Sequence, residues 1–188
     1  MGYSVTTPPT SEPITLAEAK EHLNVDFTED DTLIGAMIMA ARTAVENYLD
    51  YKLITQTLTE YWDEFPTSGV FNLRFWPVQS VTSIGYTDSD GTAQTWSSAN
   101  YQTDLVSEPA RIKTAYSVSY PTTRADELNA VNVVYVAGYG GPDSVPELIK
   151  RAILLIIADL YDNRTNAAHT MQTKWQHLLN VGGYKRVL

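Results

Sequence analysis

The sequence has 188 residues, no cysteine and a formal charge of −9. A chain of this length buries a substantial core without cross-links, and the lack of cysteine excludes disulfides, thiol nucleophiles and cysteine-bound metal centres. The longest apolar run is the seven residues 152–158, whereas a membrane-spanning helix needs about 20, so we expect no membrane span. Residues 1–94 carry −10 and residues 95–188 carry +1. Such an acidic chain lacks the basic footprint of a protein that binds duplex DNA nonspecifically.

The N-terminal segment predicts an arm followed by two helices. Residues 1–13 are rich in Thr and Pro, and we interpret them as a disordered arm. Thr15 and Glu18 have the spacing of a capping box, which predicts a short helix to about residue 22. Acidic residues after Thr28 precede apolar residues at spacings of one, three and four. This pattern predicts an amphipathic helix over residues 32–51.

The middle of the chain, residues 55–141, has the composition of a β structure. It contains 13 of the 20 aromatic residues together with many Thr, Ser and Val, which are strand formers. Turn signals such as Asp88-Ser89-Asp90-Gly91 separate its apolar runs. The predicted strands are residues 56–62, 70–75, 78–86, 101–105, 111–117 and 131–137. We therefore predict an inserted antiparallel β module.

Helical periodicity returns after Pro146, which suits a first helical turn. The helix that follows is apolar on nearly all sides, so it must lie at the centre of its own fold or between subunits. Residues 171–179 predict a last short helix. The predicted core or oligomer-contact side chains are Ile149, Ile153, Ile156, Leu160 and Tyr161. The fold class is therefore α+β, with a small helical bundle built from residues 14–54 and 142–188 and the β module, residues 55–141, between them.

Sequence motifs for catalysis or metal binding are lacking. His22, His169 and His177 are too far apart for a local metal motif, and no H-E-x-x-H pattern occurs. The glycines of residues 138–141 lack the Lys-Ser/Thr of a phosphate loop. We therefore predict no enzyme, no catalytic residue, no cofactor and no metal site.

The aromatic residues of the β module leave one alternative function open. A stacking platform on such a module could bind carbohydrate or peptide, although packing across neighbouring strands explains the same residues more simply. The side chains in question are Tyr61, Trp62, Trp76 and Trp96. This alternative predicts a monomer whose ligand binds the middle segment.

The two ends of the chain resemble the head-tail connector (adaptor, or head-completion) proteins of tailed bacteriophages. Residues 14–23, ITLAEAKEHL, are similar to the opening helix of that family, and residues 30–46 to its second helix. Residues 145–153 resemble the third helix, and residues 161–164 its Tyr-x-Asn-Arg exit. Residues 175–186 have the form of the closing segment, a Leu-Leu pair followed by Tyr and basic residues. The resemblance covers about half of the chain.

This resemblance implies a structural protein of the virion neck, assembled in the cytoplasm of a bacterial host. Such a protein forms a homo-oligomeric ring, expected to be twelve-fold, beneath the portal protein. The ring extends the DNA channel without sequence-specific binding, and its far face receives a tail-side stopper or tail-terminator protein. We expect the β module to face outward or toward the tail.

The C-terminal segment is the expected portal-docking element. No acidic residue follows Asp162, so the end of an acidic chain is locally basic and carries aromatic and aliphatic groups as well. Exposed charges speed the association of two proteins. Aromatic groups that become buried in the interface then supply much of the affinity. Gly182 and Gly183 are expected to make this segment adaptable. The predicted docking residues are Lys174, Trp175, Leu178, Leu179, Tyr184, Lys185 and Arg186.

Overall fold

The computed structural model describes residues 2–164 and 173–184. The chain divides into two compact units. Met1–Pro9 and Thr55–Gly138 form what we call the β unit, and Thr10–Ile54 and Tyr139–Leu188 form the helical unit. Four α-helices and eight strands lie within the described ranges, which confirms the α+β fold class. None of the described helices has the length and apolar character needed to cross a membrane.

The helical unit combines elements from both ends of the chain. Its helices are α1 (Leu16–Leu23), α2 (Asp31–Leu49), α3 (Glu147–Asp162) and α4 (Lys174–Val181). The capping box that starts α1 is present: Glu18 N donates to Thr15 Oγ1 at 3.2 Å, and Thr15 N donates to Glu18 Oε2 at 2.7 Å. The apolar faces of α2 and α3 supply most of the core. Its fully buried side chains include Ile34, Ala41, Val45, Leu49, Ile149, Ala152, Ile153 and Ile156.

The β unit contains two antiparallel sheets. The five-stranded sheet has the order β1-β2-β8-β4-β5, and the three-stranded sheet has the order β3-β7-β6. The strands are β1 (Gly2–Thr7), β2 (Gln56–Trp62), β3 (Val70–Asn72), β4 (Val78–Thr87), β5 (Ala93–Trp96), β6 (Tyr101–Asp104), β7 (Arg111–Thr114) and β8 (Val131–Ala137). Leu58 and Tyr135 from the larger sheet share one buried cluster with Phe71 and Ile112 from the smaller. The two sheets therefore bury their apolar faces together.

Two strands of the larger sheet differ from the sequence expectations. The prediction of a disordered N-terminal arm is wrong for Gly2–Thr7, because these residues form β1 and pair with β2 in antiparallel register. The segment contains Tyr, Val and Thr, which favour strands once a neighbour supplies hydrogen bonds. Ala93–Trp96 forms β5, which the sequence analysis missed because four residues are too few to show a clear periodicity. The turn predicted at Asp88–Gly91 joins β4 to β5, and Asp88 Oδ1 accepts a hydrogen bond from Thr92 N at 2.9 Å.

Candidate docking surfaces

The C-terminal helix α4 is part of the core of the helical unit. The Trp175 side chain is only 6% exposed, and its ring meets Tyr48 of α2 edge-on with the centroids 5.1 Å apart. Leu179 is buried, and the Tyr48 hydroxyl donates a hydrogen bond to Asn180 Oδ1 at 2.8 Å. Trp175 and Leu179 are therefore not exposed docking anchors in this protomer, since an amphipathic helix packed on its neighbours turns its apolar face inward.

The rest of the predicted docking segment is more accessible. Lys174 is exposed, and Leu178 and Tyr184 are half-buried. Lys185 and Arg186 lie outside the described residues. Among the described residues, α4 and its exit thus present the Lys174 ammonium, parts of Leu178 and Tyr184, and Val181, which is 74% exposed. The binding role of the segment stays a prediction.

The glycines that follow α4 fix the path of the chain. The N–H of Gly183 donates to Asn180 O at 3.1 Å and the N–H of Tyr184 donates to Leu179 O at 3.0 Å, which is the Schellman pattern of a helix end. Gly183 has φ +76°, and a Cβ on Gly182 would lie 2.1 Å from Leu148 Cδ2 of α3. In this structure one glycine provides the left-handed conformation and the other allows close packing. The adaptability of the segment stays a prediction.

The predicted core or oligomer-contact residues of α3 fall into two groups. Ile149, Ile153 and Ile156 are fully buried within the helical unit. Leu160 and Tyr161 are partly exposed near the end of the helix. The Tyr161 hydroxyl donates to Asp30 Oδ2 at 2.6 Å, and this hydrogen bond raises the pKa of Tyr161. This hydrogen bond connects the C-terminal end of α3 to the N-terminal end of α2.

An apolar groove runs between α2 and α3, with a volume of about 440 Å³. We call it the α2–α3 groove; its lining includes Leu33, Ala36, Met37, Ala40, Leu160 and Arg164. Leu33 is 39% exposed and Met39, further along α2, is 50% exposed. The Arg164 guanidinium lies 4.5 Å from the centroid of the Tyr161 ring. The groove therefore combines an accessible apolar floor with one cation at its rim.

A buried ionic network surrounds the C-terminal half of α2. Glu46 and Lys52 are both buried, and Lys52 Nζ donates to Glu46 Oε2 at 3.2 Å. Leu53 N donates to Glu46 Oε1 at 3.0 Å, and Arg42 Nε donates to Glu12 Oε2 at 2.7 Å. Burial lowers the pKa of Arg42, but the hydrogen bonds and charges of Glu12 and Glu46 outweigh it and the pKa is raised. Sequence analysis missed this network; only the i, i+4 spacing of Arg42 and Glu46 signalled it.

The aromatic residues of the β unit are mainly core residues rather than a surface platform. Trp96 is buried and stacks on Tyr101 with the centroids 5.4 Å apart. Tyr120 stacks on Phe65 at 4.7 Å, and burial raises the pKa of Tyr120 to about 12. Tyr61, Trp62 and Trp76 are half-buried. The arrangement agrees with packing between strands.

One carboxylate is buried in the β unit. Glu60 of β2 accepts hydrogen bonds from the Tyr135 hydroxyl and, at 3.0 Å, from Arg74 N. Burial raises the pKa of Glu60 and also that of Tyr135. Residues 2–164 and 173–184 hold no group of three His, Asp or Glu side chains that could bind a metal ion. His22 lies beside Arg151, and burial and this charge lower its pKa.

Comparison with known proteins identifies relatives by sequence and by fold. Residues 13–108, just over half of the chain, match the family model described as "Phage gp6-like head-tail connector protein". No curated protein matches the sequence. A chain of the "Virion of native gene transfer agent (GTA) particle" has a similar fold, with a TM-score of 0.81 and 20% identity over 100% of this chain and 98% of that chain.

Two further solved structures are similar over the same shares of both chains. A chain from the "Neck of empty GTA particle computed with C6 symmetry" has a TM-score of 0.80 and 21% identity. A chain from the "Neck of native GTA particle computed with C12 symmetry" has a TM-score of 0.79 and 21% identity. At these identities the similarity shows that the fold is shared.

Proposed function

The chain belongs to the phage gp6-like head-tail connector protein family, and from this premise we propose that it forms a twelve-fold ring beneath the portal of a phage-like particle. The resemblance found in the sequence is confirmed by the family match. The protein is a structural component of the neck. The occurrence of the same fold in a neck computed with C12 symmetry supports twelve copies. The ring would extend the DNA channel and receive a tail-side stopper or tail-terminator protein.

The accessible apolar surface of α2 is the observation that carries this proposal. Leu33 and the α2–α3 groove offer apolar area on rigid helices rather than on loops. A cyclic ring needs contacts that repeat identically from copy to copy, and side chains on packed helices are held in fixed positions for such contacts. We propose a second copy of the chain as the occupant of this surface.

The ring is tested with the full chain, alone and mixed with portal rings of the same particle. Mass in solution and negative-stain images should show closed rings in at least one of the two conditions. The double variant Leu33→Gln/Met39→Gln should reduce ring formation at least tenfold while leaving the protomer folded, because both side chains are accessible. Val106→Gln, a change at a 92% exposed loop residue of the β unit, is the matched control. A chain that stays a protomer and ignores portal rings contradicts the proposal.

We propose that the exit from α4 docks on the portal. Lys174, the exposed parts of Leu178 and Tyr184, and the basic residues Lys185 and Arg186 form a locally cationic segment on an acidic chain. Exposed charges accelerate association and salt screens them. Trp175 and Leu179 support this segment from inside the protomer.

Portal docking is tested without disturbing the core. Removal of residues 185–188 leaves the Schellman turn intact and should weaken binding to portal rings, as should Lys174→Glu. Raising the salt concentration should lower the association rate more than it raises the dissociation rate. His177→Gln, at another exposed position of α4, is the control and should bind normally. Unchanged decoration of portal rings by the shortened chain would place docking elsewhere.

Passage of DNA through the ring is consistent with the charge of the chain. The protein carries −9 overall and −10 within residues 1–94. An acidic surface weakens the counterion-release contribution that holds proteins on DNA. A ring lumen lined by acidic residues would let DNA pass without binding it tightly. We expect no detectable binding of duplex DNA to the full chain at physiological salt.

A further inference from the structure

We propose that β1 of one protomer pairs in parallel with β5 of the next copy, so that the five-stranded sheet continues from protomer to protomer around the ring. This inference rests on the proposed ring and adds the contact that joins neighbouring β units. The partner is thus a second copy of this chain, bound by main-chain hydrogen bonds.

The first observation is that β1 lies outside the core of its own β unit. All six of its residues are exposed, although its neighbour β2 is largely buried. Tyr3 and Val5 remain 41% and 44% exposed. The Tyr3 ring meets Phe75 edge-on with the centroids 4.6 Å apart, but no residue of β1 is buried. A further strand beside β1 would cover the exposed parts of Tyr3 and Val5.

The second observation is that both edges of this sheet lack charge. β1 has the sequence GYSVTT and β5 has the sequence AQTW. Natural proteins usually protect free edges with charged side chains, proline or very short strands, because an edge strand presents donors and acceptors to any other strand. β1 is six residues long and has proline only after its end, at Pro8. It pairs regularly with β2 from Gly2 to Val5, and a bulge, which also protects edges, interrupts the register only between Val5 and Thr7. Uncharged edges of this kind are suited to strand addition.

The third observation is the direction of the two edge strands. All neighbouring pairs in the sheet are antiparallel and the sheet has five strands, so β1 and β5 run in the same direction. Continuing the sheet by the rotation of a ring preserves that direction, and the new pair is therefore parallel. Pairing of β1 with β1 of a second copy would instead be two-fold and antiparallel, and it would stop at a dimer. A ring of more than two copies requires the pairing of two different edges.

The faces of the two strands decide which side chains meet. The Thr6 hydroxyl lies 2.7 Å from the Thr59 hydroxyl, on the face of β2 opposite to the core residue Leu58. The Ser4 hydroxyl lies 3.3 Å from the Tyr61 hydroxyl, and Tyr61 shares the face of Thr59 because side chains alternate along β2. Ser4 and Thr6 therefore both point away from the core. Trp96 of β5 is in the core, and Thr95 therefore points away from it. In a continued sheet, Ser4 and Thr6 lie on the same face as Thr95 of the neighbouring copy.

Disulfide trapping tests this pairing directly, because the chain has no cysteine. The full chain carries Ser4→Cys with Thr95→Cys, or Thr6→Cys with Thr95→Cys, and is oxidised mildly after ring assembly. Neighbouring strands lie about 4.8 Å apart, within the range that a disulfide bridges. The two edges of one protomer are separated by about 19 Å, or four strand spacings, so a bond within one chain cannot form. Val5→Cys with Thr95→Cys places the two thiols on opposite faces and is the matched control.

The expected result is a ladder of covalent multimers from at least one of the two pairs, at least fivefold stronger than in the control. Rings that form normally but give no ladder would overturn the strand pairing and leave the proposed ring intact. Covalent dimers from Ser4→Cys alone would show two-fold pairing and would also overturn it, as would trapping to the portal or a tail protein. Absence of rings in every condition would overturn the proposed function and this inference with it.

A charge exchange gives an independent readout. Ser4→Lys is tolerated in the protomer because Ser4 is exposed, and it should reduce ring formation several-fold by placing a charge at the paired edge. Adding Thr95→Glu should restore most of it, since opposite charges would then face each other across the new pair. Equal ring formation in all three proteins contradicts the pairing.

Discussion

The helical unit and the β unit expose their apolar residues in different places. In the helical unit, Leu33 and Met39 are accessible on α2 and Val181 at the end of α4, while Phe27 is exposed in the loop between α1 and α2. In the β unit, the most exposed apolar side chains, Val106, Tyr116 and Leu128, lie in loops between strands. A helix packed on its neighbours holds side chains in fixed positions, whereas Val106, Tyr116 and Leu128 lie in the connections that precede and follow β7. We therefore expect side-chain contacts between copies in the helical unit and, as proposed above, main-chain pairing in the β unit.

The two units also differ in the polar groups that they bury. The helical unit contains a charged network around Glu46, while the β unit buries Glu60 beside Tyr135. Removing one partner of a buried ion pair lowers the free energy of unfolding strongly, because the remaining charge loses its counter-charge and stays away from water. A carboxyl group whose pKa is raised can instead accept a proton and become neutral. Variants of these groups should therefore affect stability in different ways.

The largest effect is expected from Glu46→Ala. The change takes a carboxylate away from the buried Lys52 ammonium and removes the acceptor of Leu53 N, so the free energy of unfolding should fall by about 3–5 kcal/mol. Urea unfolding followed by the helical circular-dichroism signal measures it. Glu147→Ala removes an exposed carboxylate that pairs with Lys150 and should change the same quantity by less than about 0.5 kcal/mol. Equal effects of the two variants would show that the Glu46 network adds nothing to stability.

The next effect is expected from Trp175→Ala. The change removes a buried ring that packs against Tyr48 and should lower the free energy of unfolding by about 3 kcal/mol. Trp175→Phe keeps an aromatic ring and should lose less than half as much. Weaker portal binding by Trp175→Ala at unchanged unfolding free energy would show that Trp175 contacts the partner and not the core.

A smaller pair of effects with opposite signs is expected at two glycines. Gly183→Ala forces a residue with Cβ into φ +76° and should cost about 1 kcal/mol. Gly35 lies inside α2, and a Cβ added to it would meet no atom within 4 Å apart from its chain neighbours and the adjacent backbone of α2, so Gly35→Ala should stabilise by up to about 1 kcal/mol. Thermal unfolding of both variants measures the difference. A stabilising Gly183→Ala would contradict the turn at the end of α4.

The smallest effect is expected from Glu60→Gln, which keeps an acceptor for the Tyr135 hydroxyl. Burial raises the pKa of Glu60 above the ordinary value of 4.5, so the folded protein binds this proton more tightly than the unfolded chain. The group therefore favours folding below pH 4.5, and that contribution is lost as pH rises through the folded pKa. Relative to the parent protein, Glu60→Gln should be more stable at neutral pH than at pH 4.5. Urea unfolding at both values tests the sign, and the opposite trend would show that Glu60 is stabilised as a carboxylate.

Local patterns were enough to predict most elements of the fold. The capping box at Thr15 starts α1 where expected, and β2 and β8 have the predicted bounds, residues 56–62 and 131–137. These features depend on hydrogen bonds and side-chain alternation within a few residues, which sequence spacing records directly. The family resemblance was likewise carried by short motifs, although these motifs lie at the two ends of the chain.

Only the tertiary structure decided which surfaces remain available. A basic, aromatic C-terminal segment has the same composition whether Trp175 faces a partner or Tyr48, and its burial became visible only once α4 lay against the rest of the helical unit. The formation of strand β1 depends on pairing with β2, which lies more than 50 residues away in the chain. Glu12 and Arg42 meet across 30 residues. The sequence determined the elements because their causes are local; it left the contacts undecided because burial and pairing depend on residues that are distant in the chain and are brought together only by folding.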